Sequence, residues 1–162
     1  MKDRIFVIDG SSYLYRAYHA MPPLSTSSGQ PTGAVKGVTN MLMNLKKDSE
    51  GSPIIVVFDA KGKTFRSDIY SEYKANRPPM PDELRDQLAP VKSICRAIGF
   101  PLVEIEGVEA DDVIATISKM AKEAKYKCVI SSLDKDLMQL VEDPHITMMD
   151  TMKHKIFNEG IT

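Results

Sequence analysis

Short, wholly apolar runs alternate along this chain with segments of helical periodicity. Ile5–Ile8 and Ile54–Phe58 are β-branched runs that are each followed by an acidic residue, and Leu102–Ile105 and Cys128–Ile130 repeat the pattern. Runs of this kind are typical of strands that are buried on both faces, as in a parallel sheet. Four such strands alternating with helices predict an α/β fold, with a mainly parallel, Rossmann-like sheet and helices on both faces.

The segments between the strands have the spacing of amphipathic helices. Helices are predicted from Ala34 to Lys47, from Pro81 or Asp82 to Ile98 with Gly99 as the C-cap, and from the acidic stretch at 109–112 to about 124. Shorter elements complete the pattern: a helix after residue 12 capped by Ser11 or Ser12, a short helix at 137–141, and an edge hairpin formed by residues 146–150 and 155–157.

Composition narrows the class of protein without deciding its function. The chain has 162 residues, 43% of them hydrophobic and 27% charged, with a net charge of −1, which indicates one ordinary globular domain spanning 1–162. Cys95 and Cys128 fall inside apolar patterns, so both are interpreted as buried free thiols in a reducing compartment. With neither a signal peptide nor a membrane-spanning run, we expect a cytoplasmic monomer without membrane contact.

Acidic residues recur where strands end or helices begin. The seven are Asp9, Asp59, Glu109, Asp111, Asp112, Asp134 and Asp136. Because parallel strands end at the same edge of a sheet, these side chains are predicted to meet at one rim. Several carboxylates facing one point, without His or Cys, suit hard divalent cations, Mg²⁺ or Mn²⁺ before Zn²⁺. Two such cations could support an in-line phosphoryl displacement.

Each acidic stretch also has a simpler interpretation. Asp9-Gly10 is a common turn pair, and the acids at 109–112 could be an ordinary acidic first turn of a helix. His19, His145 and His154 are not placed by the sequence to act as a base. The recurrence of an acid after each strand favours a site over these separate explanations.

A basic segment follows Asp59 directly. It carries Lys61, Lys63, Arg66, Lys74 and Arg77, interleaved with Phe65, Tyr70 and Tyr73. Cations and aromatic rings in this pattern suit a nucleic-acid backbone with stacked bases. A solvated charged face is the commoner explanation of such a run, but its position beside the predicted rim favours nucleic-acid binding.

Several long motifs, in order, resemble one family. They are Val7–His19, Val57–Arg66, Tyr73-Lys74 with Arg77–Pro81, and Gly107–Asp112. In these segments the chain resembles the N-terminal 5′-nuclease domain of bacterial DNA polymerase I, which belongs to the flap endonuclease family and has a PIN-like fold. The resemblance spans nearly the whole sequence.

The resemblance implies roles for individual residues. The seven acids would be metal ligands, directly or through water, for Mg²⁺ or Mn²⁺. Arg16, Lys74 and Arg77 would act on the scissile phosphate, and Tyr73 would stack on a nearby base. Lys61, Lys63 and Arg66 would contact the DNA backbone at the start of an arch region spanning 61–90.

The resemblance also implies a substrate and a cellular setting. The family cleaves DNA at 5′ flaps and 5′ ends near junctions between single strand and duplex. It works in replication and excision repair, with the polymerase domain on the same polypeptide. The expected location is therefore the bacterial cytoplasm, in association with the nucleoid.

Two features depart from the family pattern. Leu133 stands where the family usually has Gly before its Asp-Lys-Asp motif, so the loop carrying Asp134 is expected to differ or to be strained. The sequence also ends at Thr162, before the family's further pair of metal-binding aspartates and its helix–hairpin–helix element. On this basis we expect a fragment whose two-metal site is incomplete.

Two other functions compete with the nuclease. A haloacid-dehalogenase-type phosphatase also places Asp after an apolar strand, but it needs a second Asp where this chain has Ser11. A DNA-binding module that cannot hydrolyse its substrate is the non-catalytic alternative. All seven acids are present, which argues against loss of activity by substitution.

Overall fold

The fold is described here from a computed structural model that covers residues 3–60 and 80–149, together with the backbone of strand residues 156–157. One sheet contains the strands β1 (Arg4–Asp9), β2 (Ile54–Val57), β3 (Leu102–Val103), β4 (Lys127–Ser131), β5 (Ile146–Met149) and β6 (Ile156–Phe157). Their order is β3-β2-β1-β4-β5-β6. The first five run parallel, and β6 pairs antiparallel with β5 at the edge. The predicted α/β fold is confirmed.

Helices connect the strands. They are α1 (Gly10–Ala20), α2 (Gly33–Asp48), α3 (Asp82–Ile98), α4 (Ala110–Glu123) and a 3₁₀ helix (Lys135–Leu140). Gly99 ends α3 in the left-handed conformation, with φ of 96°, as the sequence predicted. In the part of the chain that the structure describes, none of these helices has the length and apolarity needed to cross a bilayer.

Each face of the sheet is covered by its own hydrophobic core. On one face, Phe6 and Ile8 of β1 pack in a cluster with Leu42 of α2 and Leu84 of α3. On the other face, Val7 lies in a second cluster, with Ile114 of α4 and Leu137 of the 3₁₀ helix among its members. Successive strand residues point to opposite faces, so burial on both sides explains the unbroken apolar runs in the sequence.

The register of the parallel strands brings their carboxyl ends together. Ile8 of β1 is paired with Val56 of β2 on one side and with Ser131 of β4 on the other. Asp9, Asp59 and Asp134 follow these three strand ends and therefore lie at one rim of the sheet. This confirms the predicted convergence of the three acids.

Some predicted boundaries were wrong. The strand predicted over residues 102–105 ends at Val103, because its partner β2 ends at Val57, which is paired with Val103. The cap of α1 is Asp9, whose side chain accepts a hydrogen bond from the Ser12 backbone NH, and neither serine is the cap. Carboxylates and serine hydroxyls are both good N-cap acceptors, so sequence alone could not separate them.

The arch region assigned from the resemblance spans 61–90. Its last part, residues 82–90, belongs to the first half of α3. There Leu84 is fully buried and the Gln87 side chain accepts a hydrogen bond from the Val35 backbone NH of α2 at 3.0 Å. This part of the segment is therefore packed into the body of the domain.

Candidate active site

Asp9 lies at the centre of the rim, at the end of β1. Its side chain is buried, with 5% of the residue exposed. One carboxylate oxygen, Oδ1, accepts a hydrogen bond from the Ser12 backbone NH at 3.3 Å, and Oδ2 accepts one from the Ser132 hydroxyl at 2.8 Å. Both oxygens are thus held by donors from different parts of the chain.

The surroundings of Asp9 disfavour its negative charge. Burial raises the pKa of this carboxyl above its ordinary value, and the nearby charges of Asp59 and Asp134 raise it further. The hydrogen bonds from Ser132 and Ser12 oppose the increase, but they do not cancel it. A bound cation would favour the ionised form of Asp9, because it would neutralise the repulsion between the carboxylates.

Asp59 connects the end of β2 to the start of α4. Its Oδ1 accepts a hydrogen bond from the Ala110 backbone NH at 2.7 Å, and its Oδ2 lies 3.4 Å from the Ser11 hydroxyl oxygen, which donates to it. The contact with Ala110 holds Glu109, the residue before it, beside the same rim. Glu109 is itself buried, with 6% exposed.

The loop that carries Asp134 is fixed by short hydrogen bonds. The Leu133 backbone NH donates to the Ser12 hydroxyl at 2.8 Å, and the Asp134 backbone NH donates to the Ser132 hydroxyl at 3.0 Å. The Asp136 backbone NH in turn donates to Asp134 Oδ1 at 2.9 Å. The sequence predicts that Asp134 and Asp136 approach the rim together, and this arrangement brings them there.

Leu133 does not strain this loop. Among the described residues, the non-glycine residues with positive φ are Glu50 and Lys125, and Leu133 is not one of them. A leucine therefore fits the position without the left-handed conformation that the family glycine suggested. Of the two expectations for this loop, strain at Leu133 is not observed, and a loop that differs from the family pattern stays a prediction.

The acids line a cavity of about 650 Å³ at the rim. The carboxylates on its wall are Asp9, Asp59, Glu109, Asp111, Asp134 and Asp136. Asp112 lies on the wall of an adjoining cavity of about 500 Å³, which shares Glu109, Asp111 and Asp136 with the first. The seven predicted acids therefore surround two neighbouring cavities.

Arg16 of α1 lines the larger cavity together with the acids. Its Nε is buried and has no hydrogen-bond partner among the described residues. A buried guanidinium nitrogen without an acceptor is costly, and an anion in the cavity would satisfy it. This is consistent with the phosphate-binding role that the resemblance implies for Arg16.

The side chains on the cavity wall are suited to one class of metal ion. The cavity wall offers carboxylates and one imidazole, that of His19, and both cysteines lie elsewhere, in the cores. In the described ranges, no group of three or more His, Cys, Asp or Glu side chains is arranged to hold a metal ion. Mg²⁺ keeps several water ligands and is commonly bound through one or two carboxylates. The residues fit a partly hydrated hard cation better than a closed cage.

Other predicted site residues lie outside the described residues. They are Lys61, Lys63, Arg66, Tyr73, Lys74 and Arg77. The structure instead adds three serines, Ser11, Ser12 and Ser132, which bind the carboxylates of the rim. In the sequence, these serines are marked only by their position near acidic residues. Serine is too common for that position to show that they belong to the site.

The sequence was compared with families of known proteins. It matches the family described as "5′-3′ exonuclease, N-terminal resolvase-like domain" over residues 4–161. The chain belongs to this 5′-3′ exonuclease family. Membership removes the haloacid-dehalogenase alternative and agrees with the resemblance found in the motifs.

Relatives within the 5′-3′ exonuclease family differ in length. DNA polymerase I of Pseudomonas aeruginosa is 59% identical over 148 residues, which cover 91% of this chain and 16% of the polymerase. A 5′-3′ exonuclease of Aquifex aeolicus is 43% identical over 155 residues, covering 96% of this chain and 53% of the exonuclease. The chain thus spans about a sixth of the first relative and about half of the second.

Solved structures share the fold. The T5 5′-exonuclease with bound zinc ions matches with a TM-score of 0.76 at 23% identity, covering 96% of this chain and 58% of that one. A T5 flap endonuclease variant, in a pseudo-enzyme-product complex with DNA and metal ions, matches with a TM-score of 0.75 at 23% identity over 96% of this chain and 57% of that one. At this identity the likeness shows a shared fold.

Proposed function

We propose that this chain is the amino-terminal part of a metal-dependent, structure-specific 5′ nuclease, which hydrolyses DNA phosphodiesters at 5′ ends and 5′ flaps. The observation that carries the proposal is the cavity at the rim, where carboxylates from several separate segments of a 5′-3′ exonuclease family member face one space. Carboxylates this close together repel one another, and bound divalent cations would neutralise that repulsion. The same cations would attract the phosphate groups of DNA.

The metal is proposed to be Mg²⁺ or Mn²⁺. Carboxylate oxygens suit both ions, and relatives of the same fold were solved with metal ions bound. Asp9, Asp59, Glu109, Asp111 and Asp134 would hold the metal directly or through water, with Asp112 and Asp136 on the side of the second cavity. Bound there, divalent cations supply Lewis-acid stabilisation of phosphate oxygens and a lowered pKa for an attacking water.

The remaining residues bind and orient the DNA. Arg16 is proposed to donate hydrogen bonds to the scissile phosphate, because the residue lines the cavity and its buried Nε has no hydrogen-bond partner among the described residues. Lys74 and Arg77 are proposed to contact the same phosphate and to stabilise the charge that develops on it in the transition state. Tyr73 would stack on a base, while Lys61, Lys63 and Arg66 would hold the DNA backbone.

The setting follows from the relatives. DNA polymerase I of Pseudomonas aeruginosa supports a polymerase domain on the same polypeptide and a role in DNA replication and repair. We propose a monomer located in the bacterial cytoplasm with the nucleoid. The arch region is proposed for residues 61–90, with its last part anchored in α3.

A flap-cleavage assay tests the proposed function. The substrate is a duplex with a 5′ flap labelled at its end, incubated in Mg²⁺ or in EDTA and resolved on a denaturing gel. Asp134→Asn removes one rim carboxylate, and Glu142→Gln removes an exposed carboxylate that pairs with Lys122. Because the two-metal site of this chain is expected to be incomplete, we expect slow, Mg²⁺-dependent cleavage that Asp134→Asn abolishes and Glu142→Gln leaves unchanged.

Other results would change the assignment. Binding of the flap in a gel-shift assay, without cleavage in Mg²⁺ or Mn²⁺, would identify a DNA-binding module instead. Cleavage in EDTA, or equal cleavage by Asp134→Asn and the parent protein, would contradict the metal-dependent mechanism. Calorimetric titration with Mn²⁺ on the same samples would give the number of metals bound.

A further inference from the structure

Ser132 lies between two of the rim carboxylates. It follows β4 directly and is buried, with 2% exposed. Its hydroxyl is 2.8 Å from Asp9 Oδ2 and 3.0 Å from the Asp134 backbone nitrogen. Ser132 therefore links Asp9, near the start of the chain, to Asp134, which is 2 positions after it.

The chemistry of the two partners fixes how the hydroxyl is used. An ionised carboxylate can only accept a hydrogen bond, and a backbone NH can only donate one. The Ser132 hydroxyl therefore donates its hydrogen to Asp9 and accepts from Asp134 with a lone pair. One side chain satisfies both groups in a buried place where water would otherwise be needed.

The backbone of Ser132 is held independently of its hydroxyl. Its NH lies 3.4 Å from the Met149 carbonyl of β5, and Leu133 next to it donates to the Ser12 hydroxyl at 2.8 Å. Removal of the hydroxyl would leave these contacts in place. Loss of the hydroxyl should change the position of Asp9 relative to Asp134, while the backbone of β4 should keep its conformation.

We infer that Ser132 is a positioning residue, which sets the separation and orientation of the Asp9 and Asp134 carboxylates for binding a divalent cation. The inference rests on the proposed function, since it concerns the same rim. Ser132 does not itself bind the metal in this scheme. Partners that orient metal ligands typically change metal affinity or activity by about 10–100-fold when they are removed.

Three variants of this chain test this role. Ser132→Ala removes the hydroxyl, and Ser132→Thr keeps it. Ser118→Ala is the matched control, because Ser118 is also buried, with 1% exposed. Among the described residues its hydroxyl donates to two carbonyls of its own helix, those of Ile114 and Ala115, both at 2.9 Å. The primary measurement is the Mn²⁺ dissociation constant, from calorimetry and from the electron paramagnetic resonance signal of free Mn²⁺.

We expect Ser132→Ala to bind Mn²⁺ about 10–100-fold more weakly than the parent protein. Ser132→Thr and Ser118→Ala should bind it as the parent does. In flap cleavage, the loss in Ser132→Ala should shrink as the Mn²⁺ concentration is raised, because the defect lies in metal binding.

Hydrogen exchange of the metal-free protein tests the role of Ser132 independently of metal binding. Loss of the hydroxyl removes the acceptor of the Asp134 backbone NH, so this amide should exchange its hydrogen with solvent faster in metal-free Ser132→Ala. Amides within β4 should exchange as in the parent protein, and Ser132→Thr should restore protection at Asp134.

The outcomes separate the two proposals. If the parent protein binds no Mn²⁺, the proposed function fails and this inference fails with it. If the parent binds Mn²⁺ and Ser132→Ala binds equally well, only the positioning role is wrong. Equal weakening by Ser118→Ala, or an unchanged exchange rate at Asp134, would also overturn it.

Discussion

The carboxylate of Asp59 accepts a hydrogen bond from the Ala110 backbone NH at 2.7 Å, although the two residues are 51 positions apart in the chain. Glu109, the N-cap residue of α4, makes no capping bond with its own side chain. Asp59 therefore supplies the acceptor for a backbone NH in the first turn of this helix. The acid is structural as well as part of the proposed site.

Substitution of Asp59 should separate these two contributions. Asp59→Ala removes the acceptor, and we expect the free energy of unfolding to fall by about 0.5–2 kcal/mol, the usual cost of losing a helix cap. Asp59→Asn keeps a carbonyl oxygen and should stay close to the parent protein. Urea denaturation in EDTA measures both. Equal stability of Asp59→Ala and the parent would show that the bond to Ala110 contributes nothing.

The raised pKa of Asp9 predicts a pH dependence of stability. Burial, with help from Asp59 and Asp134, makes the folded protein hold the Asp9 proton more tightly than the unfolded chain does. Above the ordinary pKa of 3.8 the folded state therefore binds more protons at this site. Its contribution to stability is fully present below pH 3.8 and is lost as the pH rises through the raised folded pKa.

Asp9→Asn isolates this contribution. The variant carries no charge, so in EDTA we expect it to gain stability over the parent protein as the pH rises from about 4 to 8. The measurement is the difference in the free energy of unfolding between the two proteins at each pH. A difference that stays constant across this range would mean that Asp9 is not perturbed by its surroundings.

Close packing at Gly10 predicts a second effect on stability. A Cβ atom at this position would lie 2.6 to 2.8 Å from three ring atoms of Phe58, which is 2% exposed. The ring belongs to a hydrophobic core cluster and lies 5.5 Å, measured from its centroid, from the Lys92 ammonium, so a shift of the ring would disturb these contacts. Gly10→Ala should therefore cost about 1–3 kcal/mol, as overpacking usually does.

A double-mutant cycle checks this explanation. Phe58→Leu removes the ring atoms that a Cβ at position 10 would contact, so the combined variant should be more stable than the sum of the two separate changes predicts. Denaturant midpoints with an unchanged slope would give the coupling energy. Purely additive effects would show that the loss in Gly10→Ala has another cause, such as backbone entropy.

The basic residues outside the described part of the chain carry a kinetic prediction. If Lys74 stabilises charge in the transition state, Lys74→Ala should lower kcat by about 10²–10³-fold with little change in DNA affinity. Lys61→Ala, at a proposed backbone contact, should weaken binding and reduce its dependence on salt. Single-turnover cleavage and binding isotherms at several salt concentrations measure the two. Similar effects of both substitutions on binding alone would remove Lys74 from the mechanism.

Local signals in the sequence predicted the strands and the acids well. Runs such as Ile54–Phe58 could be assigned because a strand buried on both faces must be apolar along its length. Once β1, β2 and β4 were expected to be parallel, Asp9, Asp59 and Asp134 had to meet at one rim. The convergence depends on strand direction, which the alternation of strands and helices indicates.

Features that depend on distant partners could not be predicted. The strand beginning at Leu102 stops early because its partner β2 ends at Val57, and nothing near residue 104 in the sequence indicates where that partner ends. Ser132 gains its place from Asp9, which is 123 positions away. Serine has no strong preference for such a position, so only the folded structure distinguishes Ser132 from Ser118.

The position of β1 between β2 and β4 has a consequence for synthesis of the protein. Asp9 leaves the ribosome early, but its buried oxygen is satisfied by Ser132 and its rim is completed by Asp134 and Asp136. A nascent chain that stops short of β4 therefore has the first acids without the rest of the cavity. Under the proposed function, hydrolysis at this rim therefore requires that translation has passed residue 136.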